Sequence, residues 1–294
     1  MKKLIFIVLG SFIMSAFTFP INKEELNNLV KALEQAKHAQ DTYESNPPFC
    51  QAIMFGEHDK VNTMISNGVE INTKNCDGFT PLKVATIKKD IRMVKALVSN
   101  GADVNMKDSF DNTVLIIAAS YGYLDIVKYL VGEENKFDKA DVKAQDKYGW
   151  TALIWAANKG YLEMVKFLVG EGNSFDKADV NVQDNYGWTA LMWAADKGYL
   201  DIVKFLIGEG NYFEKAKVNI QDNYGWTALM WAAARGHLDI VKFLVGERHN
   251  FEKANISLTN DKGQNAIDIA KEKGHLNIAQ YLEEQMEKQK EIIL

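Results

Sequence analysis

The sequence predicts an all-α solenoid of about seven helix–turn–helix units with turn fingers, stacked in a row behind an N-terminal helix. Three observations predict it. A block of 38 residues beginning at Asp146 returns nearly unchanged from Asp184 and again from Asp222, and Trp150, Trp188 and Trp226 mark the step. Within each block two apolar-periodic segments are separated by a glycine (Gly160, Gly198, Gly236), which reads as two short helices. The final block, from Asn260 to about Glu284, turns more polar, as the end of a stack must where its outer face meets water. A unit this small cannot bury an apolar face alone, so it packs on its neighbours. The array then offers an extended surface rather than one catalytic pocket.

The elements follow in order. Residues 1–20 stand apart: Lys2 and Lys3 precede an apolar run from Leu4 to Phe19, broken only by Gly10, Ser11, Ser15 and Thr18. Charge followed by a short apolar stretch is the pattern of an export signal, with weakly marked cleavage near Ala16 or Thr18. An uncleaved anchor over residues 4–19, slightly short for a bilayer, is the alternative. The expected location is periplasmic or secreted, or else anchored. Residues 21–45 read as a capping helix. Asn22 and Glu25 have capping-box spacing, and Leu26, Leu29, Val30, Leu33 and Ala36 form one apolar stripe that can cover the open flank of the first unit. The repeat domain is expected over residues 46–285. A tail over 286–294 should extend the last helix.

Composition agrees with a folded body: 47% of the 294 residues are apolar and 25% are charged. The net charge of −5, with dispersed lysines and no basic stripe, argues against nucleic acid as a partner. Two cysteines occur, Cys50 and Cys76. They could pair in an oxidising compartment, or stay as partly buried thiols, and spacing does not decide between these.

Residues Thr80-Pro81-Leu82-Lys83-Val84-Ala85 and the later Gly101-Ala102-Asp103-Val104-Asn105 resemble the ankyrin repeat family, whose unit of about 33 residues is a β-turn and two antiparallel helices with a T-P-L-H-x-A signature. The match fails at the signature's His, where Lys83 stands. The unit before it is degenerate. Units begin near residues 42, 75, 108, 146, 184, 222 and 260, and the step grows from 33 to 38 after Thr113. The resemblance covers about residues 42–285. It implies a non-enzymatic scaffold that binds another protein with its turns and first helices.

Each unit also makes physical sense without the resemblance. Gly149, Gly187 and Gly225 give the Tyr-Gly-Trp-Thr turn its backbone freedom, and Thr151, Thr189 and Thr227 can cap the first helix. Paired alanines, such as Ala156 and Ala157, let neighbouring first helices approach closely. Leu162, Met164, Val165 and Leu168 face the second helix toward the core. The family's Pro and His are replaced in the central units by Ala152, Ala190 and Ala228 and by Ile154, Met192 and Met230. Trp155, Trp193 and Trp231 are expected in the core. Phe137, Phe175, Phe213 and Phe251, one per insertion, are expected to staple each longer loop onto its neighbour.

No catalytic residue, cofactor or metal site is expected. His38, His58, His237, His249 and His275 have no metal-ligand spacing, and no phosphate-loop, nucleophile-elbow or zinc-protease motif occurs. The candidate partner-binding face comprises Tyr148, Trp150, Asn158 and Lys159, then Tyr186, Trp188, Asp196 and Lys197, then Tyr224, Trp226 and Arg235. Either its Tyr and Trp rings form an exposed strip for a partner, or they stack on the next unit and stiffen the turns. Two further readings share the surface. One is carbohydrate or cell-wall glycan binding through the Tyr/Trp rows; the other is a structural or chaperone-like role in the envelope. Oligomeric state is open.

Overall fold

The computed structural model describes residues 47–75, 77–132, 137–170, 176–208, 215–246 and 252–293. The expected signal segment 1–20, the capping helix 21–45, Cys76, and the insertion rings Phe175, Phe213 and Phe251 lie outside the described residues. The pairing of Cys50 with Cys76 therefore lies outside them too. Cys50 itself is buried, with Sγ 4.0 Å from the carbonyl of Thr73.

The described residues form seven helix pairs. They are α1 Pro48–Met54 with α2 His58–Ser66, α3 Pro81–Ile87 with α4 Ile91–Ser99, and α5 Val114–Tyr121 with α6 Leu124–Val131. Then come α7 Ala152–Lys159 with α8 Leu162–Leu168, α9 Ala190–Lys197 with α10 Leu200–Ile207, α11 Ala228–Arg235 with α12 Leu238–Val245, and α13 Ala266–Glu272 with α14 Leu276–Ile293. Each first helix packs on the first helices before and after it, and each second helix packs on its own partner, so the solenoid has two layers. The alanine pairs Ala156–Ala157, Ala194–Ala195 and Ala232–Ala233 are wholly buried, which is what lets the inner row sit so close. Met164, Val165 and Leu168 and their equivalents are buried between the layers, as their spacing requires.

The helix ends follow from single residues. Thr151, Thr189 and Thr227 each accept a hydrogen bond from the third backbone N–H of their helix, at 3.2, 3.3 and 3.3 Å. Gly198 ends α9 at φ +80°, and a Cβ there would lie 2.7 Å from the His237 ring of the next unit. Gly160 likewise faces Tyr199, and Gly236 faces His275. The ring of each following unit thus closes over the glycine, and His237 and His275 bond the backbone of the preceding unit, with Nε2 3.1 Å from Asp196 O and 3.2 Å from Ala234 O. This is the structural use that their alignment with Tyr161 and Tyr199 implies. The second helix Ile91–Ser99 is capped by Asp90, which accepts from the Met93 N–H at 3.0 Å, whereas the second helices of the central units lack side-chain caps. They begin with Glu163, Asp201 or Asp239 in the first turn and carry Lys166, Lys204 or Lys242 in the last, matching the helix dipole. The last helix continues through Ile293, so the tail is an extension of the final unit.

Lys83, at the family's His position, is buried and pairs with the buried carboxylate of Asp108 in the next unit. Its ammonium also sits 3.6 Å from the centre of the Phe79 ring. Burial works to raise the Asp108 carboxyl. The Lys83 hydrogen bond, the amides of Phe110 and Asn112 and the Lys83 charge outweigh it and hold the carboxyl below its ordinary value. The pair therefore contributes stability that is present above the ordinary Asp range and is lost as pH falls through the lowered value. Urea midpoints followed from neutral pH downward should fall less steeply for Asp108→Asn than for the parent. Parallel curves would refute that assignment.

Candidate functional site

The three central fingers that join the units are built on one buried acid each, Asp146, Asp184 and Asp222. Asp184 Oδ1 accepts from the backbone N–H groups of Tyr186 and Trp188, both at 2.9 Å, while its own N–H and C=O close the turn onto Trp188 and Gly187. Its Oδ2 accepts from the indole Nε1 of Trp193 at 3.1 Å. Asp146 does the same with Tyr148, Trp150 and Trp155, and Asp222 with Tyr224, Trp226 and Trp231. Burial pushes the Asp184 carboxyl up from its ordinary value, against the Trp188 amide, the Trp193 indole and the Tyr186 amide; the nearby Asp146 carboxylate adds to the push.

The equivalent position carries Asn75 in the second unit and Asn260 in the last. There Oδ1 still receives two backbone N–H groups, but Val84 and Ile269 stand nine residues on where the central units have Trp. The carboxylate thus appears where a second oxygen has a donor to satisfy. Asp108 obeys the same rule, with Lys83 as that donor.

From Phe110 onward each finger is bonded to the next. The tip amides of Lys147, Asn185, Asn223 and Asp261 donate to the carbonyls of Phe110, Tyr148, Tyr186 and Tyr224 at 2.9, 3.0, 3.1 and 3.0 Å. The side chains of Asn185 and Asn223 reach back to Lys147 O and Asn185 O, both at 2.9 Å. Gln145, Gln183 and Gln221 each bridge their own turn glycine carbonyl to a carbonyl one unit on. The finger row is a hydrogen-bonded ribbon with its spacing held at every step.

The tryptophans behind the tips form one continuous zigzag. Ring centres run Trp155–Trp150 at 4.4 Å, Trp150–Trp193 at 4.7 Å, Trp193–Trp188 at 4.3 Å, Trp188–Trp231 at 4.2 Å and Trp231–Trp226 at 4.4 Å, all tilted. This corrects one expectation: Trp155, Trp193 and Trp231 are half-buried rather than core residues. Their indole N–H groups must reach the finger-base acids, which lie outside the apolar layer. Trp150, Trp188 and Trp226 are half-buried as well, each wedged against the helix tryptophans.

The candidate face divides accordingly. Tyr148, Tyr186 and Tyr224 project from the tips, 50%, 54% and 61% exposed. Lys159 and Lys197 are exposed at the ends of their helices, with ammonium groups 5.8 and 5.7 Å from the Trp155 and Trp193 ring centres. Asn158 is half-buried. Asp196 is corrected: it is buried, and it binds Arg235 of the next unit at 2.5 Å and Lys197 at 3.0 Å. Its place at the end of the first helix, which the resemblance assigns to the binding surface, does not expose it. Sequence reading missed Asp146, Asp184 and Asp222, and also Phe110, which occupies the tip position one step before Tyr148 and is half exposed with the Lys147 ammonium 3.7 Å above its ring. The step of 38 back from Tyr148 marks Phe110 in the sequence. Phe137 is half exposed, so at that insertion the ring is not buried as a staple would be.

A family model described as ankyrin repeats (3 copies) matches residues 21–108, 49–141, 90–184, 115–215 and 211–292. No curated relative matches the chain. Among the described residues no helix is long and apolar enough to cross a membrane, and no cluster of His, Cys, Asp and Glu is placed to hold a metal ion.

Proposed function

The chain belongs to the ankyrin repeat family, and from that premise we propose that it is a non-enzymatic scaffold which binds one partner protein along its finger face. Repeats of this family mediate protein–protein interaction. The observation that carries the reading for this chain is the row of exposed Tyr148, Tyr186 and Tyr224 on a hydrogen-bonded ribbon. Large rings at fixed, already ordered positions lose little conformational freedom on binding, and exposed Tyr is a favoured interface anchor. Lys159, Lys197 and Arg235 border the row from the first helices. The tryptophans support the platform instead. With centroids 4.2–4.7 Å apart they leave no room for a sugar ring between them, which favours a protein over a glycan. The charge-then-apolar segment before residue 21 supports export, so the partner is sought among envelope and secreted proteins.

The test uses residues 21–294 beside the Tyr148/Tyr186/Tyr224→Ala variant. Because the rings are exposed, the thermal midpoint should stay within about 2 °C, consistent with small surface effects. A partner captured by the parent should lose at least tenfold in affinity for the variant. Unchanged affinity would move the site off the tips, and competition by soluble oligosaccharides would revive the glycan reading.

A further inference from the structure

We propose that the tyrosine row receives a polyproline II segment of the partner, with a proline at every third residue. This rests on the protein-binding reading above and names the kind of chain that fits it. Spacing is the first argument. The two steps through Trp193, 4.7 and 4.3 Å, put the indoles of Trp150 and Trp188 at most about 9 Å apart. The steps of 4.2 and 4.4 Å through Trp231 do the same for Trp188 and Trp226. Each exposed tyrosine stands two residues before one of these indoles on the same finger, and adjoining tips are joined backbone to backbone. The indole row behind the tips therefore advances by no more than about 9 Å per unit, and stacked helices set a period of about 8–10 Å that the tyrosines, carried on the same fingers, share.

Few chain conformations repeat at that distance. A β-strand returns a side chain to the same face every ~6.7 Å. An α-helix does so every ~5.4 Å. Polyproline II has three residues per turn at 3.1 Å each, so it returns a side chain every ~9.3 Å.

Backbone chemistry points the same way. Adding a strand to an exposed edge needs unpaired amides and carbonyls. Here the tip amides of Asn185, Asn223 and Asp261 and the carbonyls of Tyr148, Tyr186 and Tyr224 already bond one another. A polyproline II segment asks for no such ladder, since it has no internal hydrogen bonds and its backbone stays solvated. It is recognised by aromatic rings instead. Charge agrees: between Lys147 and Asp261 the tips carry Tyr148, Asn185, Tyr186, Asn223 and Tyr224, with the aspartates buried beneath. The tips between those two residues carry no charge of their own, which suits an uncharged segment, with the cations Lys147, Lys159, Lys197 and Arg235 lying beside them.

The experiment titrates residues 21–294 with fluorescent thirteen-residue peptides of equal composition, each with four prolines falling at every third or every fourth position. The every-third peptide should bind, and the every-fourth peptide should bind at least tenfold more weakly. Each of Tyr148→Ala, Tyr186→Ala and Tyr224→Ala should weaken the every-third peptide about tenfold while the melting curve stays put. Equal binding of the two peptides, no binding of either, or indifference to the tyrosines overturns the proposal. A random peptide library panned on the parent and on the triple tyrosine variant separates the two levels of the argument. Tyrosine-dependent recovery of sequences without the proline spacing overturns the polyproline reading and leaves protein binding standing. If no recovered peptide depends on the tyrosines, both fall.

Discussion

Gly187→Ala is expected to cost about 2–5 kcal/mol, and Gly263→Ala, at the same place in the last unit, only about 1–2. Both glycines are left-handed, at φ +82° and +73°. Alanine in that region costs about 1–2 kcal/mol from its own sterics. At Gly263 nothing lies within 4 Å of the added Cβ, as also at Gly78 in the second unit. At Gly187 the Cβ would meet the backbone N of Asn223 at 2.6 Å and Asp222 Cα at 2.9 Å. Those are main-chain atoms of a finger tied on both sides, so relief requires shifting the stack. Overpacking of this sort adds about 1–3 kcal/mol. Urea unfolding of the two variants gives the comparison directly. Equal losses would mean that the fingers yield freely and that the ribbon is not rigid.

The second large effect concerns the finger-base acid. Asp184→Ala strips the acceptor from two backbone amides and one indole, and is expected to destabilise by about 3–5 kcal/mol, since a hydrogen bond to a charged group is worth about 1.5–3. Asp184→Asn is milder. It keeps Oδ1 for the amides of Tyr186 and Trp188 but turns an NH2 group on the Trp193 N–H, for an expected loss of about 1–2 kcal/mol. In a Trp193→Ile background that loss should nearly vanish, because Asn260 with Ile269 is the same pair in the last unit. Denaturation of the four chains of this cycle measures the coupling. An asparagine as damaging as alanine, or one equally damaging in both backgrounds, would break the link between acid and indole. Because the Asp184 carboxyl is raised in the fold, its contribution to stability declines as pH rises from the ordinary Asp range through the raised value. That is the opposite sign to Asp108, so the two can be told apart by pH.

The architecture was legible because its information is periodic. A 38-residue step, a threonine before each central first helix and a glycine after it are visible without coordinates, and each does what the spacing says. What the sequence hid was the meaning of individual polar residues. An Asp at a turn reads as a generic turn former, and its second oxygen is silent until the indole nine residues on is seen to point at it. The helix tryptophans sit at a position that reads as inward, yet the indole N–H draws them to the finger base. Asp196 lies at the end of the first helix, aligned with Asn158 and Ala234, where the resemblance implies a binding surface, so it reads as exposed. Its partner is Arg235, which is 39 residues away in sequence but adjacent across the joint. Contacts between units are long-range in the chain and short in space, and a single unit read alone cannot reveal them.

The ribbon's joints are interchangeable. The bond from Asn185 to Lys147 O is repeated, at the same 2.9 Å, from Asn223 to Asn185 O, and both use only a carbonyl on the receiving side. The glutamines follow suit, from Gln183 to Gln221 O and from Gln221 to Thr259 O. Such a joint does not read the identity of its neighbour. Excising or duplicating one central copy leaves every remaining joint of the ribbon of a kind already present, while the helix joints, such as Asp196 with Arg235, still depend on which copies meet. Array length, and with it the number of tyrosines offered in a line, is therefore a quantity that the ribbon lets change in whole steps.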